Sequence, residues 1–80
     1  MTGTYRFQNA GSDPMVVRIE MWCDEIRVPV GSVLVLTCHS LTQPQPATIE
    51  RTPDGLVFWP ECASYAAELD GRPYPLPSQA

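Results

Sequence analysis

Proline and glycine decide what this chain can become. Nine prolines and five glycines are spread over 80 residues, and a proline removes a backbone donor and fixes its own φ. Before residue 60 no unbroken apolar stretch has room for a long helix. The pieces between the breakers alternate with period 2 instead. In residues 15–21, MVVRIEM, the side chains of Met15, Val17, Ile19 and Met21 share one face, and Val16, Arg18 and Glu20 share the other. That is the pattern of a half-buried strand. Tyr5 and Phe7 flank Arg6 in a shorter first strand, and the N-A-G-S-D-P run of residues 9–14 is turn chemistry.

Residues 25–28, EIRV, predict a third strand with Ile26 and Val28 inward. Pro29 cannot donate to a ladder, so it ends the pairing or sits at a strand edge, and residues 29–32, PVGS, turn the chain. Residues 33–39, VLVLTCH, begin apolar on both faces, which predicts a central strand covered on both sides. Residues 40–47 contain Q-P-Q-P and no apolar face, so a solvated, locally extended loop is expected there. Residues 48–52 and 56–59 predict a hairpin turned by Pro53, Asp54 and Gly55, with positive φ at the glycine. The proline-rich tail, residues 72–80, predicts extended coil.

Residues 61–69 fit two periods. Cys62, Tyr65, Ala66 and Leu69 stand at i, i+3, i+4 and i+7 of a short helix started by Pro60 and stopped by Gly71. Ala63, Tyr65, Ala67 and Leu69 stand equally well on one face of a strand turned at Asp70 and Gly71. Helix propensity favours the first; the β context favours the second. The whole predicts a single all-β domain over residues 1–80. The expected architecture is a small antiparallel β-sandwich or open barrel of about six or seven short strands. A chain this short buries only about 60–65% of its unfolded surface, which leaves little room for a deep active site beside a self-sufficient core.

One resemblance rests on the run from Val17 to Leu34, V-x-I-E-x-W-x-x-E-x-x-V-P-x-G-S-x-L, and on the later D-G-L-V-F of residues 54–58. The pair resembles small bacterial all-β proteins in which I-E-P-W precedes a strand, a P-P-G turn and a D-G-I-x-V hairpin. It covers residues 5–71. Met21 stands where that pattern has proline, and Pro60, Glu61 and Cys62 stand where it has Pro-Gly. The resemblance implies a β fold with residues 63–69 as strand, and it implies no activity. The V-P-x-G-S-x-L turn is also similar to cupredoxin-like sandwiches, which bind copper through two histidines and a cysteine, whereas this chain has one histidine.

Charge narrows the partners. Five arginines, no lysine and nine acids give a net charge of −4. The arginines are scattered at positions 6, 18, 27, 51 and 72. Nucleic acid and anionic membrane surfaces need concentrated basic residues, so neither is expected. No run approaches the ~20 apolar residues of a membrane span. The first residues carry neither a basic start nor a long apolar run, so no secretory leader is expected. The expected location is the cytoplasm, where three cysteines remain free thiols.

Four residues carry the sharpest possible chemistry: Cys23, Cys38, His39 and Cys62 would complete a Cys₃His zinc set. Their spacing lacks the C-x-x-C knuckle of structural zinc sites. Cys38 and His39, adjacent on a strand, face opposite sides. The competing reading is that Cys38 and Cys62 are small core residues and His39 is a solvated strand end. Serine, histidine and carboxylates are present, but nothing in their spacing assembles a nucleophile with its base. Asp24 and Glu25, with Glu20 and Glu61, form no calcium loop, and Asp24 reads as a turn residue. No enzyme and no cofactor are expected.

The aromatics remain. Trp22 and Trp59 are candidate partner contacts, because tryptophan dominates binding hot spots. Phe58 joins them, since one of Phe58 and Trp59 must leave the core. The sequence therefore predicts a non-enzymatic module acting through protein–protein contact or self-association at open sheet edges. The alternative is a metal- or small-ligand-binding sandwich built on His39 and the cysteines.

Overall fold

The computed structural model describes residues 1–41 and 47–79, so most of the loop expected over residues 40–47 lies outside the described residues. Eight strands follow in order: β1 (Gly3–Gln8), β2 (Met15–Ile19), β3 (Asp24–Val28), β4 (Val33–Leu41), β5 (Thr48–Thr52), β6 (Gly55–Trp59), β7 (Cys62–Leu69) and β8 (Arg72–Tyr74). A single 3-10 turn, Pro77–Gln79, closes the described chain. The strands form two four-stranded sheets, ordered β1-β4-β7-β8 and β3-β2-β6-β5. The all-β sandwich is as expected, with no closed barrel.

Three expectations need correction. Among the described residues eight strands form rather than six or seven, because Arg72–Tyr74, at the start of the expected coil, pairs with β7; Leu76 beyond it is buried. Pro73 is tolerated there because β8 is an edge strand and needs no donor on its open side. The sandwich is also not wholly antiparallel. β2 pairs parallel with β6, with Ile19 opposite Phe58. A parallel pair needs a long crossover, and here the chain supplies it by passing through β3, β4 of the other sheet, and β5. Finally, β4 is central, between β1 and β7, but only its inner face is fully covered; Val33, Val35 and Thr37 are half-buried.

The core lies where the inner faces meet. Val17, Ile19, Ile26, Val28 and Phe58 come from one sheet, and Phe7, Leu34, Leu36, Cys38, Tyr65 and Ala67 from the other. Phe58 is the junction. Tyr5 and Phe7 of β1 meet its ring edge-on at centroid distances of 4.9 and 5.1 Å, an arrangement aromatic quadrupoles favour.

Residues 61–69 resolve as strand, because β4 offers a long ladder on which Tyr65 meets Cys38 and Leu69 meets Leu34. The inward set differs from simple alternation at its start. Ser40 has φ +54°, which breaks the extended run, and Leu41 rather than Ser40 packs on the core. Cys62, opposite Leu41, is buried in turn, and Ala63 is exposed. Regular alternation resumes at Tyr65 and Ala67. Asp70 (φ +52°) and Gly71 (φ +81°) then make the two-residue turn into β8, the positive-φ pair that hairpins prefer.

Gly55 is a glycine for another reason than the one expected. Its φ is not positive. A Cβ there would stand 1.9 Å from the carbonyl oxygen of Val16, so only glycine lets β6 approach β2.

Candidate functional site

The parallel pair builds the site. β2 and β6 run the same way, so the residues that follow them leave the sheet at the same end. The ladder continues one step beyond β2, where the Glu20 amide donates to the Phe58 carbonyl at 2.9 Å. Residues 20–22 therefore emerge beside residues 59–62. An antiparallel pairing would have sent the two segments to opposite ends of the sandwich.

Between them lies a cleft of 270 Å³ lined by Glu20, Met21, Trp22, Trp59, Glu61 and Cys62. Each tryptophan is held by a contact of its own. Trp22 packs on the core with its ring 5.0 Å from that of Tyr65. Trp59 lies on the outer face of its sheet, half-buried, and its indole Nε1 donates to Glu50 Oε1 of β5 at 3.0 Å. Met21 stands at the lip with 82% of its surface exposed. Phe58 is not part of this surface: it is fully buried, because strand alternation sends Phe58 inward and Trp59 outward. The expectation that Phe58 touches a partner is corrected accordingly.

The metal set is not assembled. Cys38 and Cys62 do come together in the core, where the Cys38 thiol hydrogen-bonds to the Cys62 sulfur. Burial pushes the Cys38 thiol up to about 12. Burial also raises Cys62, partly offset by bonds from Cys38 and the backbone of Ser64 and His39. His39 itself is exposed on the other face of β4, and Cys23 is exposed in the turn between β2 and β3. Among the described residues no three His, Cys, Asp or Glu side chains are grouped to hold a metal ion.

On the other side of Trp22 is a second cleft of 650 Å³, lined by residues 22–25 and 74–78. Its most suggestive group is Asp24, which is buried. The hydroxyls of Tyr65 and Ser78 both donate to its Oδ2. Burial first, and then the bond to Asp24, hold the Tyr65 hydroxyl in its protonated form. The carboxylate is thus engaged in joining β3, β7 and the terminal 3-10 turn. Sequence pattern marks Asp24 as a turn residue and gives no sign of Ser78, because their meeting depends on how the last residues return across the sandwich. Glu20 and Glu61 are each two places from a tryptophan in sequence, which is the signal that could have found them.

Among the described residues no helix is long and apolar enough to cross a membrane. No family model, curated protein or solved structure matches this chain, so any functional reading rests on the side chains gathered at this end of the sandwich.

Proposed function

We propose that the chain is a non-enzymatic binding module that holds a partner protein at the cleft between Trp22 and Trp59. The observation that carries this reading is the convergence of two tryptophans, 37 places apart in the sequence, on one cleft. Buried or clefted aromatics held rigidly before binding lose little entropy on contact and make strong anchors. The state of the nucleophiles supports a role without chemistry. Cys38 and Cys62 are buried thiols with raised pKa, and Asp24 already accepts two hydroxyls. The net charge of −4 fits a protein partner rather than a nucleic acid. Three free thiols fit a reducing compartment such as the cytoplasm.

The test is selection of random peptides displayed on phage against the folded chain, followed by calorimetry. Selected peptides are expected to bind the native chain and to lose about tenfold or more in affinity to Trp59→Ala, the loss typical of a hot-spot aromatic. Trp59 faces outward, so this variant keeps the fold, which a thermal melt verifies. Peptides that bind Trp59→Ala as tightly as the native chain, or no selected peptide at all, would overturn the reading.

Self-association is favoured by a different observation. Ile49 of β5 sits opposite Phe58 in the ladder, on the side of the core, yet it is 53% exposed. β5 is an edge strand, and an apolar residue on an open edge is a pairing surface. Sedimentation equilibrium at high concentration is expected to show a dimer that Ile49→Lys removes; a strict monomer overturns this second reading.

A further inference from the structure

The end of the sandwich away from the tryptophans has a pocket of its own. β2 and β6 are parallel, so their starts, Met15 and Gly55, share that end. A pocket of 400 Å³ lies there between the loop of residues 9–14 and the β5–β6 turn. We propose that it binds a free α-amino acid with an apolar side chain, whose carboxylate pairs with Arg51 and whose ammonium pairs with Asp13.

Two unpaired charges of opposite sign carry the argument. Among the described residues, the charged side chains lining the pocket are Asp13, Arg51 and Asp54. Asp54 is already engaged: Arg18 donates to its two oxygens at 3.0 and 2.9 Å, and Thr52 donates to one of them at 3.0 Å. Asp13 and Arg51 are not engaged. Among the described residues neither side chain makes a hydrogen bond or an ion pair, with the other or with any third group. Arg51 also faces an unusual way. It stands opposite Leu56 in the ladder, and Leu56 packs on the core. The guanidinium therefore leaves the strand on its core side, with no acid there to meet it.

A simple anion would pair with Arg51 and bring like charge to Asp13. A simple cation would do the reverse. A zwitterion satisfies both, through charge-assisted hydrogen bonds. The floor of the pocket chooses among zwitterions. Met15 and Leu56 are half-buried and packed on the core, so they offer apolar surface for a ligand's side chain to cover. An α-amino acid carries ammonium, carboxylate and side chain on one carbon, whereas a residue inside a peptide has neither charge. The volume falls within the range of small-molecule sites, about 300–1,000 Å³. Both walls are fixed before binding. The side-chain amide of buried Asn9 donates to the Asp13 and Val28 carbonyls at 2.9 and 3.0 Å, and the Val16 amide donates to the Asp54 carbonyl at 2.8 Å. Walls set in advance lower the entropic cost of taking a ligand.

The experiment separates the two charges and the side chain. The folded chain, labelled with ¹⁵N, is titrated with leucine, N-acetyl-leucine, leucinamide and glycine near pH 6, below the α-amino range of about 7.7–8.0. The backbone amide signals of Gly11, Asp13 and Gly55 are followed by NMR. Leucine is expected to shift them saturably in the millimolar range or tighter. N-acetyl-leucine, which lacks the ammonium, and leucinamide, which lacks the carboxylate, should each bind about tenfold or more weakly, the loss of one hydrogen-bonded charge. Glycine should bind several-fold more weakly than leucine. Arg51→Gln should weaken leucine and leave leucinamide unchanged; Asp13→Asn should weaken leucine and leave N-acetyl-leucine unchanged. Either blocked derivative binding as tightly as leucine overturns the zwitterion assignment, and glycine binding as tightly overturns the apolar floor. No movement with any of the four overturns the site. The four ligands are compared on the unaltered chain, so the outcome does not depend on whether the variants fold. The tryptophan cleft takes no part in it.

Discussion

The hydroxyl of Tyr65 on β7 donates to the buried carboxylate of Asp24 on β3, and this one bond joins the two sheets at the end that carries the tryptophans. Ser78 donates to the same oxygen from the terminal 3-10 turn. Trp22 rests on the Tyr65 ring, so the bond also fixes one wall of the cleft. Tyr65→Phe keeps the ring and removes the donor. Removing one of the two donors to a buried carboxylate costs about 1–3 kcal/mol, which in a domain of this size lowers Tm by roughly 4–8 °C per kcal/mol. Ser78→Ala, at an exposed position, should cost less, about 0.5–1.5 kcal/mol, the usual net worth of one hydrogen bond. Thermal melts of the two variants check the order; a Tyr65→Phe protein as stable as the native chain would show that the bond contributes nothing.

Gly55 decides whether the cleft exists. An added Cβ would lie 1.9 Å from the Val16 oxygen and 2.6 Å from the Val16 nitrogen, both backbone atoms that no rotamer change can move. Gly55→Ala must therefore push β6 off β2. The loss should be among the largest for any single substitution, about 3 kcal/mol or more. At Gly31 nothing stands within 4 Å of an added Cβ, and Gly31→Ala should cost only the positive-φ strain, roughly 1–2 kcal/mol. Urea unfolding of the pair checks the contrast. A Gly55→Ala chain within about 1 kcal/mol of the native one, well short of a large single-site effect, would refute the close approach.

How much of this was legible follows from the range of the interactions. Period-2 alternation at Val17 and Ile19, Ile26 and Val28, and Leu34 and Leu36 is a local signal, and each of those side chains is fully buried. The turns at Pro29 to Ser32 and at Asp70 and Gly71 are local too. What alternation does not carry is which strand lies beside which. The pairing of β2 with β6 links residues about 39 apart in sequence, through a crossover that changes sheets, and the cleft depends on it. The reversal of facing at Ser40 is likewise silent in the sequence, because serine is no specialist in positive φ. Hence Trp22 and Trp59 were visible as candidates, whereas their convergence with Glu20 and Glu61 was not.

The three thiols should separate by reactivity. Cys23 is exposed, whereas Cys38 and Cys62 are buried. With the Cys38 thiol pushed up to about 12, only about one molecule in ten thousand carries its thiolate at pH 8, and the thiolate is the reacting form. An aromatic disulfide reagent should therefore modify one thiol per native chain quickly and the other two only as the chain unfolds. Cys23→Ser should remove the fast phase. Two or more fast thiols in the native chain would contradict the burial of the Cys38 and Cys62 pair.

Acid should unfold the domain partly through Asp54. Arg18 Nη1 and Nη2 donate to its two oxygens at 3.0 and 2.9 Å, and the Thr52 hydroxyl donates at 3.0 Å. The Arg18 bonds, then that from Thr52, hold the Asp54 carboxyl well below its ordinary value of 3.8. Asp70 is lowered in the same direction, first by the Val33 amide and then by the Ser32 hydroxyl. A carboxylate whose pKa is depressed on folding contributes stability above its unfolded pKa and loses it as pH falls through the folded value. Stability should thus hold from neutrality to about pH 5 and decline below about pH 4. Asp54→Asn should be less stable than the native chain at pH 6, and the gap should narrow steadily as pH falls below 4. Both partners are at the surface, so salt near 1 M, where screening acts over about 3 Å, should narrow the gap at pH 6 as well. Urea midpoints of the two chains across pH check this; a gap that stays constant from pH 6 to pH 2 would show that the Arg18 and Asp54 pair is not what the domain loses in acid.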